Sequence, residues 1–264
     1  MKFKAISLLS LLPRSPVEFY ERVTEYAGVR IDTILNVRPK YNAISMEHGI
    51  SRLFPGRGSE VNKILSEDSL AQIETHVNQR QFELPASAPF GQFHNGDPFL
   101  ARLCYLVVRM IQPARVVETG VCYGVTSSYL LAAMNKNNYG HLHSIDLPPL
   151  GSKGDDYVGW LVPNELKDRW TLRRGTSERL LASVVEELET LDLFIHDSLH
   201  TFKNMKQEFD TSWSALNSRG ILISDDIEGN DAFLQMVKSH QPEISVIMEQ
   251  KNKSSLVGAA VKRE

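Results

Sequence analysis

The sequence predicts an α/β fold: a doubly wound, mostly parallel seven-stranded sheet with a C-terminal antiparallel hairpin and an N-terminal helical region. Three observations predict it. From residue 97 onward, short apolar runs alternate with segments of helical spacing, the pattern of a parallel sheet covered by helices on both faces. The last two apolar runs, Ile244–Met248 and Ser255–Lys262, are joined only by Glu249 to Ser254. So short a connection forces an antiparallel pair, because a parallel return needs a crossover of about a dozen residues. Finally, Pro85, Pro89, Gly91 and Gly96 crowd one stretch, with Pro98 just beyond. Such punctuation marks a boundary, dividing a helical or cap region, 1–96, from a ligand-binding domain, 97–264.

Ser15 can cap a helix, Pro16 suits its first turn and Glu18 completes a capping box. Phe19, Val23 and Tyr26 then share one face, and Gly28 is a stop. Pro39 to Gly58 shows no clear period. Glu60 to Val77 reads as one helix, with Val61, Ile64, Leu70 and Ile73 as its apolar positions. Phe99 to Ile111 is an apolar helix that Asp97 can cap. Strands are expected at Arg115–Glu118, His141–Leu147, Thr171–Arg174, Leu191–Asp197 and Gly220–Asp225. Helices fall between them near Thr126–Asn135, Glu178–Glu189 and Phe202–Leu216, and one near Ala232–Ser239 precedes the hairpin.

The bulk properties exclude several classes. The 264 residues are 42% hydrophobic and 23% charged, ordinary for a globular chain that buries a sizeable core. The net charge is −3 with Lys and Arg scattered, so no basic footprint for nucleic acid appears. Two cysteines, Cys104 and Cys122, make neither a disulfide framework nor a zinc site, which suits a reducing, cytoplasmic setting. The apolar start Met1–Pro13 lacks a small-residue cleavage site and reads as a packing arm. No later run is long enough to span a membrane. Oligomeric state stays open, a homo-oligomer included.

Chemistry is expected at the carboxyl ends of the strands, where open parallel sheets bind ligands. Arg115 to Ser128 holds the first end. A strand there turns on Gly120 and Gly124 into a helix, whose first amides can face a ligand. Glu118 ends the strand and can accept hydrogen bonds from a ligand hydroxyl or amine; the plainer reading is a corner that needs glycine only to turn. Asp146 ends the second strand, placed to take both hydroxyls of a ribose or, alternatively, to cap a turn. Arg174-Gly-Thr176-Ser177 offers small polar groups that can reach an adenine edge. The fourth strand delivers Asp197, with His200 three residues on, and the fifth delivers Asp225 and Asp226. Three carboxylates at one edge repel unless a cation sits among them, and oxygen ligands suit Mg²⁺. The alternative is that these aspartates cap the segments that follow. His200, with an ordinary pKa near ~6.5, suits a general base. His141, His143 and His196 read as structural. Tyr41, Phe54, Phe90, Phe93, Tyr157 and Trp160 line an aromatic or sugar pocket or, more commonly for any one of them, the core.

Together these residues resemble a class I S-adenosylmethionine-dependent methyltransferase, a Rossmann-like fold whose sheet ends in a hairpin. Val116 to Gly124 is similar to the cofactor loop of the catechol-type small-molecule O-methyltransferases, with Glu-x-Gly-x-x-x-Gly in place of Gly-x-Gly-x-Gly. In that group the residue at Asp197's place binds Mg²⁺, and a lysine three residues later is the base. His200 stands at the lysine position, as a histidine does in the metal-dependent macrolide-sugar O-methyltransferases. The catechol group ends its fifth strand Asp-Asn, where this chain has Asp225-Asp226. Gly159 to Pro163, with Phe194 to His200, also resembles a broad bacterial methyltransferase group. The resemblance covers residues 97–264 and does not reach the region expected to select the acceptor. It implies cofactor contacts from Glu118, Thr119, Gly120, Tyr123, Gly124, Thr126, Ser127, Asp146, Leu147, Thr176, Ser177 and Asp197. It further implies Mg²⁺ on Asp197, Asp225 and Asp226, His200 as base and O-methylation of a small molecule. The competing readings are a metal-free O- or N-methyltransferase and an NAD-dependent oxidoreductase.

Overall fold

The computed structural model describes residues 8–35, 38–90, 98–150, 154–250 and 255–264. The expected Asp97 cap, Phe93, the first half of the N-terminal arm and most of the hairpin connection lie outside the described residues.

The N-terminal region includes the helices α1 (Pro16–Leu35), α2 (Met46–Leu53), α3 (Gly58–Leu65) and α4 (Asp68–Phe82). The helix begun at Pro16 runs through Gly28, and its apolar residues face out. Val23 and Tyr26 are 38% and 56% exposed, whereas Glu21 is buried. Glu18 instead meets Arg174 at 2.8 Å, Glu21 pairs with Arg179, and Asp32 accepts from the Phe202 amide at 2.5 Å. Ion pairs to a basic rim, not apolar packing, seat α1, so hydrophobic periodicity pointed to the wrong face. The single helix expected over Glu60–Val77 is two. Ser66 bonds back to the carbonyls of Asn62 and Lys63, closing α3. Glu67 leaves the helical path to accept from Tyr105 at 2.6 Å and Arg109 at 2.7 Å.

Helix α5 (Pro98–Ile111) leads to β1 (Arg115–Thr119), α6 (Val125–Asn137), β2 (His141–Asp146) and β3 (Trp170–Arg174). There follow α7 (Ser177–Leu188), β4 (Leu191–His196), α8 (Phe202–Ala215), β5 (Leu216–Ser224), α9 (Ala232–His240), β6 (Ile244–Glu249) and β7 (Leu256–Val261). The sheet order is β3-β2-β1-β4-β5-β7-β6. β1 to β5 pair in parallel, and β7 runs antiparallel to both neighbours, as the short connection requires. β5 begins at Leu216, earlier than the apolar run suggests. Among the described residues no helix is long and apolar enough to cross a membrane.

Strand alternation sorts the sheet into two cores. Val116, Leu193, Ile195 and Ile223 face α5 and α6, and Ile50, Leu53, Ile64, Leu70 and Ile73 from α2 to α4 join that cluster. Val117, Phe194 and Leu222 face α7, α8 and α9, with Leu181, Met205, Phe209 and Phe233. Phe54 and Phe90 belong to or pack against the first cluster and Tyr41 against the second, the ordinary core role for these aromatics.

Candidate active site

The two parities of β1 carry different jobs through to its carboxyl end. Glu118 continues the α6-facing row and is fully buried. Its Oε2 accepts from Ser127 of α6 and from Ser144 of β2, both at 2.7 Å. Ser144 in turn accepts from Trp170 Nε1 at 2.9 Å. Oε1 of Glu118 has no hydrogen-bond partner. Burial pushes the Glu118 carboxyl up to about 7, against the two serine bonds, and Asp146 adds to the rise. Thr119 continues the opposite row. Its hydroxyl donates to Glu208 of α8, so the side chain expected to touch a cofactor is committed to the far face.

The glycine turn is packed against protein rather than open. Gly120 has φ +84°, and a Cβ there would lie 1.9 Å from the Asp197 carbonyl oxygen. The close approach that requires glycine is thus to the loop leaving β4. Asp146 braces the same turn, with Oδ2 accepting from the amides of Val121 at 2.7 Å and Cys122 at 2.9 Å. The turn-capping reading of Asp146 therefore holds for one of its two oxygens. Tyr123 points away, its hydroxyl exchanging bonds with the Phe90 carbonyl at 2.8 Å and amide at 3.1 Å. Gly124, at φ +88°, lies against Gly159, whose amide donates to Cys122. Through these bonds the Gly159–Leu161 stretch is pinned to the turn, and Tyr157 and Trp160 stack beside it, centroids 5.4 Å apart.

Polar groups without partners gather at this edge. Thr126, in the first turn of α6, and Thr176, just before α7, are buried with unpartnered hydroxyl oxygens. Ser177 is satisfied by donating to Asn204 at 3.2 Å. Leu147 is half-buried just beyond Asp146. An unpartnered buried polar atom is costly, about 1–3 kcal/mol, unless a ligand completes it.

Asp197 and His200 leave β4 together, with His200 Nε2 3.9 Å from Asp197 Oδ1 and both side chains partly exposed. The expected carboxylate cluster does not form around them. Asp225 is 2% exposed and accepts from Gln250 Nε2 at 2.5 Å. Asp226, in the left-handed region at φ +47°, accepts from Ser255. The two partners are linked, Gln250 Nε2 also donating to Ser255 Oγ at 3.4 Å, so each aspartate has an oxygen engaged by this pair. Among the described residues no three His, Cys, Asp or Glu side chains converge as metal ligands would. A cavity of about 410 Å³ between Leu53, Met110, Asp192 and Arg219 lies at the opposite edge of the sheet, beyond the amino ends of β1 and β4.

Sequence reasoning missed four participants near the strand ends. His196 is fully buried against Glu208, not a strand-flanking histidine, and Glu208 drew no notice. The signal was present, since His196 has the parity of Phe194, and Asn204 and Glu208 are one helical turn apart. Arg174 and Arg179, the rim that holds α1, had no apolar signature to find.

Residues 117–227 match a family model described as a methyltransferase domain. Among curated proteins none matches. An O-methyltransferase from Bacillus cereus in complex with SAH aligns at 14% identity over 77% of this chain and 96% of its own, TM-score 0.51. A putative O-methyltransferase from Klebsiella pneumoniae aligns at 16% identity over 82% and 95%, TM-score 0.51. An SAH-bound methyltransferase from Podospora anserina aligns at 12% identity over 85% and 99%, TM-score 0.51. The strand order with its reversed β7 and the solved neighbours agree on the fold of the class I S-adenosylmethionine-dependent methyltransferases, and residues 117–227, which include the glycine turn after β1, are similar to a methyltransferase domain.

Proposed function

We propose that the chain transfers the methyl group of S-adenosylmethionine to a hydroxyl of a small molecule, with His200 as general base. The observation that carries the reading is the placement of His200 and Asp197, 3.9 Å apart, on the loop packed against the glycine turn. The O-methyltransferases among the structural neighbours, one of them holding SAH, support it.

The residues at the edge fit such a cofactor. Glu118 Oε1 and Thr126 Oγ1 offer buried, unpartnered polar atoms beside the turn, and Thr176 offers another beyond β3. Asp146 spends Oδ2 on the turn and keeps Oδ1 for ribose hydroxyls. We assign Glu118 to the amine of the methionine end, and Leu147 with Thr176 to the adenine side. Bound there, the cofactor supplies an electrophilic methyl group. The His200 imidazole takes the proton of the acceptor hydroxyl, and the neighbouring Asp197 carboxylate steadies the imidazolium that results.

Mg²⁺ on Asp197, Asp225 and Asp226 does not fit this arrangement, because Gln250 and Ser255 already occupy an oxygen of each later aspartate and, among the described residues, no three such side chains converge. Methyl transfer, followed as S-adenosylhomocysteine released with a panel of phenols and sugars, is therefore expected to survive exhaustive chelation. Loss on chelation, restored by Mg²⁺, would return the aspartates to a metal.

Glu118 sets a pH dependence. A cationic amine binds the ionised carboxylate, so S-adenosylhomocysteine affinity should rise as the pH is raised through about 7 and level off above it. Glu118→Gln should weaken binding and flatten that rise. Calorimetric titration at several pH values reads both, and an unsloped wild-type profile would remove Glu118 from the site.

A further inference from the structure

Behind the loop that carries Asp197 and His200 lies a buried hydrogen-bonded hub that cofactor binding leaves unexplained. Glu208 is 1% exposed. Its Oε2 accepts from Thr119 and from His196 Nδ1 at 2.7 Å. Its Oε1 accepts from Ser198 Oγ at 2.6 Å and Asn204 Nδ2 at 2.9 Å. Four donors fill the carboxylate, which as an anion can only accept. Burial alone would raise the Glu208 carboxyl, but His196 and the surrounding donors hold it down at about 2.

The hub reaches the loop by several routes. Asn204 also donates to the Leu199 carbonyl at 3.0 Å and to Ser198 Oγ at 3.1 Å. Asp197 donates its amide to the Thr119 carbonyl at 2.8 Å, beside the threonine whose hydroxyl meets Glu208. His196, fully buried, has its proton fixed on Nδ1 by the acceptor it faces. Its Nε2 has no partner, and its ring meets the His200 ring edge-to-face with centroids 5.1 Å apart. Phe209 closes the other side at 5.5 Å. A buried carboxylate is expensive, and an apolar helix face would seat β4 without that cost. What an apolar face would not do is hold Ser198 and Leu199.

We propose that Glu208 and His196 are positioning residues for His200: the carboxylate fixes the Ser198–Leu199 backbone, and the His196 ring seats the His200 imidazole. This rests on His200 being the base, and it assigns neither residue contact with acceptor or cofactor.

The test is the imidazole ¹H–¹⁵N spectrum of the full chain with S-adenosylhomocysteine added, which needs no acceptor. In the wild type, His196 should show the proton on Nδ1, and His200 should give one set of ring signals. Glu208→Gln places an amide donor against existing donors, so it should remove the His196 signature and shift or split the His200 signals. Ser198→Ala, which leaves the His196–Glu208 hydrogen bond intact, should perturb His200 alone and serves if Glu208→Gln does not fold. His200 signals unchanged in either folded variant would overturn the proposal. The base assignment fails separately, if His200→Ala retains turnover while the spectra behave as expected.

Discussion

Replacing His200 with alanine is expected to lower turnover by about 10²–10⁴-fold, the range for losing a general base, while S-adenosylhomocysteine binding stays unchanged. The split follows from the geometry. The groups assigned to the cofactor, Glu118, Thr126 and Asp146, lie on β1, α6 and β2, whereas His200 stands on the loop after β4. Its side chain is 27% exposed, so truncation opens no buried cavity and leaves no buried charge. Turnover, read as S-adenosylhomocysteine released, and affinity, read by calorimetry, are separate measurements on the same protein. A parallel fall in both would mean that His200 shapes the binding edge instead of taking a proton.

The second large effect is structural. Gly120→Ala is expected to destabilise the fold by about 3 kcal/mol or more, from left-handed backbone strain together with overpacking. The added Cβ would meet the Asp197 carbonyl oxygen at 1.9 Å, its carbon at 2.4 Å and the Ser198 nitrogen at 2.8 Å. All three are backbone atoms, so no side chain can rotate away, and the ends of β1 and β4 must part. For a chain of this size the melting midpoint should fall by about 6 °C or more. Gly58→Ala is the control, since nothing lies within 4 Å of its Cβ position. Equal melting of the two variants would show that the turn is not packed against Asp197.

Much of this was legible in the sequence. Each expected strand appears within a few residues, because short apolar runs bounded by glycine and polar residues have little alternative to a buried strand. The antiparallel end followed from a connection too short for a crossover. Other features were hidden for identifiable reasons. Helix α1 is docked by Glu18, Glu21 and Asp32, and charge pairing leaves no period in hydrophobicity. Asp225 and Asp226 stand at a strand end where a cation is expected, but Gln250 and Ser255, distant in sequence, engage their carboxylates. Thr119 was placed by its neighbourhood in the loop, when strand parity already assigned it to the face of α8. Gly120 marks a turn in the sequence, and in the structure it makes room for the loop leaving β4. Its requirement for glycine was visible, but the partner was not.

The proposed reaction requires this edge of the sheet to bind S-adenosylmethionine. Calorimetric titration of the wild-type chain with S-adenosylhomocysteine and, in parallel, with NAD⁺ tests it most directly. Saturable one-site binding of S-adenosylhomocysteine, lost or weakened in Glu118→Gln, is expected, with no saturable heat from NAD⁺. Saturable binding of NAD⁺ without any of S-adenosylhomocysteine would contradict it.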